Sequence, residues 1–80
     1  MELKLKELEK ERYELDVRGN TCPFPQVFTD LALKKIGSAV LEVITDNPPS
    51  VRDVPAMLET KGYKVETKKE NGHWRLIIRA

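Results

Sequence analysis

The chain is poor in the residues that most often carry chemistry: one cysteine, one histidine and one tryptophan among 80 residues. A single cysteine closes no disulfide within the chain, so this is not a stapled scaffold. One cysteine with one histidine does not make a zinc site, and no glycine-rich phosphate loop is present. So short a chain buries only about 60% of its unfolded surface, which leaves little room for a large cofactor cavity. Neither a metal nor a cofactor is therefore expected. Charge of either sign is also nearly absent on balance, with 14 Lys and Arg against 13 Asp and Glu. Strong direct nucleic-acid binding, which needs clustered cations, is not expected. No apolar run approaches the about 20 residues that cross a bilayer. The start "MELKLKELEKER" has no apolar signal region. No membrane association is expected, and the cytoplasm is the expected location.

What is present suits one soluble domain, 40% hydrophobic and 34% charged. Residues 1–12 mix charge with Leu3, Leu5 and Leu8 at a spacing that suits neither strand nor helix. They read as a solvated, partly helical lead-in to a domain over 13–80. "YELDVR" alternates strictly, as a half-buried strand does, and Gly19-Asn20 breaks it. From Phe24, apolar residues at Val27, Phe28, Leu31 and Ala32 fall at helical spacing, with Lys34, Lys35 and Gly37 suited to the helix end. "VLEVIT", Val40 to Thr45, reads as a central strand.

A second helix is expected to start near Ser50, with Ser50 and Asp53 as a capping pair and Pro55 kinking or delaying its first turns. "YKVETKK" and "HWRLIIR" flank Asn71-Gly72, a strong hairpin signal. His73, beside that turn, reads as an exposed strand residue. The order βαβαββ with right-handed crossovers predicts an α/β (α+β) two-layer sandwich: a mixed four-stranded sheet with two helices on one face. Val40, Ile44 and Ile77 then fall on the open face, as a small apolar patch or a docking surface. If the first three strands run parallel, the Cys22 loop and the Asp46–Ser50 loop emerge together at their carboxyl ends.

That puts attention on "TCPFP", Thr21 to Pro25. With Cys22 as helix cap, Pro23 takes the first helical position, where a missing N–H costs nothing, and Pro25 still lies in the first turn. A helix N-terminus favours negative charge, so the Cys22 thiol should ionise below its ordinary value, and Arg18 could add positive charge. The alternative is a buried cysteine acting as a small apolar residue, as free cysteines often do. Dithiol redox cycling needs a second cysteine, and acyl transfer needs a positioned base that the lone His73 does not supply. Reversible carriage of sulfur as a persulfide needs neither, and a second thiol would discharge the cargo.

The run "LDVRGNTCPFPQV", with "GSAVLEVITDNP", "RDVP" and "KGYKVE" after it, resembles the TusA/SirA-like sulfur-carrier family and its Cys-Pro-x-Pro motif. The resemblance runs from about residue 13 to the end. It implies that Cys22 carries sulfane sulfur, with Arg18 and Gly19 leading into the motif, and Pro23 and Pro25 shaping its loop. Asp46, Asp53 and Pro55 fall where the family carries an Asp and an Asp-x-Pro. As plain chain features, Asp46 is a turn residue and Asp53 a helix-start residue. The resemblance also implies partners: a sulfur donor protein such as a cysteine desulfurase, and a downstream acceptor. It points to tRNA thiolation, molybdenum-cofactor supply or other sulfur metabolism, and to a sulfurtransferase-type carrier rather than a stand-alone enzyme. The competing reading is a regulatory or protein-interaction module in which Cys22 is structural.

Overall fold

The computed structural model describes residues 5–21, 24–37 and 39–79. Among them the order is β1 (Leu5–Glu9), β2 (Arg12–Asp16), α1 (Phe24–Ile36), β3 (Val40–Thr45), α2 (Pro48–Glu59), β4 (Lys64–Glu70) and β5 (His73–Arg79). They form one five-stranded sheet in the order β1-β2-β3-β5-β4. β2 and β3 are parallel, and β3–β5 and β4–β5 are antiparallel, so β2, β3 and β4 share one direction. Leu15 and Val17, Leu41 and Val43, and Leu76 and Ile78 form one apolar face. Ala32 and Leu33 of α1 and Val54 and Leu58 of α2 pack on it. All ten are at most 4% exposed, so this layer is the core, and both helices lie on the same side.

The four-stranded expectation needs correction, because Leu5–Glu9 pairs with β2 as a fifth strand rather than trailing in solvent or coiling. Leu5 stands opposite Leu15 and packs against the core. Two features hide this hairpin in the sequence. The register shifts between Glu7 and Glu9, which breaks the alternation along the strand. The turn uses Glu11 at φ 63, where a hairpin ordinarily announces itself with Gly or Asn.

The second helix also differs from expectation. It starts at Pro48, with Asn47 as N-cap and prolines at its first two positions. Proline suits those positions because its φ is already helical and it has no N–H to leave unpaired. Ser50 is thus inside the first turn, fully buried, and its hydroxyl accepts from Asn47 Nδ2 at 3.0 Å. Pro55 lies within the continuous helix rather than delaying it; only one backbone donor is lost there.

The sheet face without helices is not an apolar patch. Ile44 and Ile77 are only 5% and 4% exposed. Arg75, beside Ile44 in register, donates to Glu14, Glu42 and Glu70, each at 2.9 Å, and Arg12 also pairs with Glu42. Long charged side chains thus cover the isoleucines with their stems while their heads neutralise one another. His73 belongs to the edge of this network, half-buried with Nε2 3.0 Å from Glu70, rather than exposed and unpartnered.

Candidate functional site at the carboxyl ends of the parallel strands

The site is built where β2 and β3 end side by side. Their ladder continues one step past β2, with Val17 N–H donating to the Ile44 carbonyl at 2.9 Å. The chain then turns sharply. Asn20 N–H donates back to the Val17 carbonyl at 3.2 Å, and Gly19 sits third in the turn at φ 84. Glycine occupies that conformation without strain, as a type II turn requires. The Gly19 N–H points across to the neighbouring loop and donates to Asp46 Oδ1 at 3.0 Å. The juxtaposition expected from chain order is therefore present for the described parts of both loops.

Arg18 does not supply a free positive charge here. Asp16 grips its guanidinium with both carboxylate oxygens, at 3.0 and 2.8 Å, and also accepts from the Arg18 N–H at 3.0 Å. This pairing holds the Arg18 pKa above its ordinary value and largely compensates its charge locally. Asp16 is a site residue that sequence reasoning missed; its position two before an arginine at a strand end was the available signal.

Cys22 and Pro23 lie outside the described residues, and so does the expected capping role of the thiol position. The chain on either side is described. Thr21 is exposed, and its carbonyl accepts from Phe24 N–H at 2.9 Å, joining the residues that flank positions 22 and 23. Pro25 lies in the first turn of α1, as expected, and its side chain is buried. Its carbonyl accepts from the buried Thr29 hydroxyl at 2.6 Å, which leaves that hydroxyl satisfied in an apolar setting. That bond is internal to α1; it is the burial of Pro25 and Thr29 that seats the helix start on the core.

α1 has two apolar faces, not one. Thr29, Ala32 and Leu33 face the core, with Phe28 and Ile36 packed at its margin. Phe24, Val27 and Leu31 are 46–47% exposed and follow one another at helical spacing. Phe24 stacks on Phe28, with ring centroids 6.2 Å apart. A shallow groove between α1 and α2 adjoins this stripe, lined by Gln26, Val27, Asp30, Leu31, Met57 and Lys61. Asp30 ties its rim, accepting from Lys61 at 2.9 Å and pairing with Lys34 at 3.3 Å. Those cations hold the Asp30 carboxyl below its ordinary value, Lys61 foremost.

Asp53 and Pro55 stand apart from the tethered turn along the chain. They are five and seven residues beyond Pro48, roughly 7–10 Å up the helix axis at its usual rise. The Asp53 carboxylate pairs with Arg52 at 3.4 Å. Of the supporting residues, the structure thus brings Gly19 and Asp46 into contact, with Arg18 beside them. Among the described residues, no cluster of three or more His, Cys, Asp or Glu is placed to hold a metal, and no helix is long and apolar enough to cross a membrane.

Comparison with known proteins gives the chain its relatives. A relative in Archaeoglobus fulgidus, named as a candidate sulfur carrier protein, is 40% identical over 68 residues, covering 81% of this chain and 77% of that protein. One in Thermotoga maritima, similarly named, is 37% identical over 68 residues, covering 81% and 86%. The Escherichia coli K12 protein YedF, also named as a candidate sulfur carrier, is 34% identical over 61 residues, covering 75% and 79%. The crystal structure of a SirA-like protein from Desulfitobacterium hafniense superposes with a TM-score of 0.76 at 33% identity, covering 84% of this chain and 95% of that one. Residues 13–80 match the family described as sulfurtransferase TusA, and the chain belongs to that family.

Proposed function

We propose that this protein is a sulfur carrier working through Cys22. The Cys22 thiolate attacks the outer sulfur of a donor protein's persulfide. One S–S bond forms as another breaks, and the donor leaves as a thiolate. An acceptor thiolate then attacks the outer sulfur of Cys22–S–SH and releases Cys22 unchanged. Atoms and electrons balance in both steps, with no outside oxidant or reductant. The observation that carries this reading is a solitary thiol in a chain of this family, between a tethered turn and an anchored helix start.

The exposed Phe24, Val27 and Leu31 support protein partners rather than small-molecule donors, since such a stripe begins two residues after the thiol. A cysteine desulfurase fits as donor. The acceptor leads toward tRNA thiolation, molybdenum-cofactor assembly or another sulfur pathway. The same stripe also favours the second reading, a protein-interaction module with a structural cysteine.

Alkylation of Cys22 as a function of pH separates the two readings. A carrier thiol should react readily in the folded protein, with a midpoint below the ordinary thiol value of about 8.5. Slow alkylation that accelerates only on unfolding would favour the interaction module.

A further inference from the structure

From the contact between the two loops, we infer that Asp46 is a positioning residue for Cys22. It acts through the Gly19 amide, three residues before the thiol. The turn Val17–Asn20 is closed within itself by one backbone hydrogen bond, and the Asn20 side chain repeats it, Nδ2 donating to the Val17 carbonyl at 3.2 Å. Those bonds set the turn's shape but not its lean relative to β3. Beyond the last ladder bond, from Val17 N–H to Ile44, Asp46 Oδ1 accepting from Gly19 N–H ties this turn to the next loop.

Asp46 is well placed for that task. It follows Thr45, which is fully buried and accepts from Asn47 N–H at 3.1 Å, so the backbone on both sides of Asp46 is held. On the far side of the thiol the chain is anchored by the buried side chains of Pro25 and Thr29. Asp46 thus supplies the fixed point on the near side. Asp46 is exposed, so its loss should leave the core intact while freeing the turn.

The inference rests on Cys22 being the working thiol, but its test does not require sulfur carriage. Asp46→Asn and Asp46→Ala remove the same charge, while only asparagine keeps an oxygen to accept from Gly19. A difference between the two variants therefore reports the tether and not the charge. The measurement is the rate of Cys22 alkylation by iodoacetamide across pH, with Gly19 amide exchange followed alongside. Asp46→Asn should keep Gly19 protected and follow its own charge-free baseline. Asp46→Ala should lose that protection and differ from Asp46→Asn by at least about threefold, the change in thiolate fraction for half a pKa unit. Asp46→Val, which also lacks an acceptor, should behave as alanine does, and it stands in if alanine fails to fold. Coincident profiles for the acceptor-free and asparagine variants would overturn the inference, whether or not the wild type loads sulfur. Failure of the wild type to load sulfur would instead count against the carrier reading alone.

Discussion

Arg75→Ala should destabilise the fold by about 2–3 kcal/mol, at or just below the floor of the roughly 3–5 kcal/mol that breaking a fully buried charge pair costs. The reason lies in Glu42, whose side chain is only 6% exposed in the middle of the sheet. Arg75, itself 20% exposed, satisfies Glu42 together with Glu14 and Glu70. Alanine removes three charge-assisted hydrogen bonds, one of them to a carboxylate that water barely reaches. Arg12 remains as a partner for Glu42, which keeps the loss below the top of the range. For a domain of this size the midpoint of thermal unfolding should fall by about 10–20 °C. Lysine should not restore it, because one ammonium cannot reach three carboxylates in fork geometry.

The control is Arg18→Ala. Its pair with Asp16 is 50% and 27% exposed, and losing such a surface contact should cost less than about 1 kcal/mol. Equal effects for the two variants in urea unfolding would show that the sheet-face network adds nothing beyond an ordinary surface pair. pH gives a second check. Arg75, first among its causes, holds the Glu70 carboxyl below its ordinary value. A depressed acid lends stability above its unfolded pKa and loses it as pH falls. The wild type should therefore lose more stability than Arg75→Ala between neutral and acid pH.

A second cysteine should abolish storage of sulfur. Pro25→Cys creates the Cys-x-x-Cys spacing that dithiol proteins use. In that variant the introduced thiolate attacks the inner sulfur of the Cys22 persulfide. A disulfide forms between the two cysteines, and the outer sulfur leaves as hydrosulfide. The loaded form should give way to a protein about two hydrogens lighter than the unloaded, reduced variant, with one sulfide released per chain, as thiol–disulfide exchange requires. The wild type, with no resolving thiol, should hold its cargo until an acceptor arrives. Stable persulfide on the Pro25→Cys protein would mean that solitude of the thiol is incidental.

Much of the fold is legible in the residues. β3 is readable at its true bounds, because a β-branched run ends abruptly at Asp46-Asn47-Pro48-Pro49. α1 and the Asn71-Gly72 hairpin follow from equally local chemistry: helical spacing closed by lysines and Gly37, and a turn pair that accepts positive φ. What escapes depends on geometry that spacing does not encode. β1 is masked by a register shift and by a glutamate in a glycine-like conformation. Expecting α2 to start at Ser50 weighs hydroxyl capping above the two prolines before it, and the prolines prevail. The sheet-face network needs strand order, since Glu14, Glu42, Glu70 and Arg75 come together only when β5 inserts between β3 and β4. The signal is present in "VLEVIT": a lone glutamate inside an otherwise uncharged central strand needs a cation opposite. For the site, topology is enough to bring the two loops together, but the Gly19–Asp46 bond and the grip of Asp16 on Arg18 require the structure.

The most direct measurement is the intact mass of the protein after incubation with a cysteine desulfurase and cysteine. The wild type should gain about 32 Da, one sulfur held as a persulfide and removable by reductant, and Cys22→Ser should gain nothing. A wild type that gains no such mass, or a Cys22→Ser variant that gains it equally, would contradict carriage on Cys22.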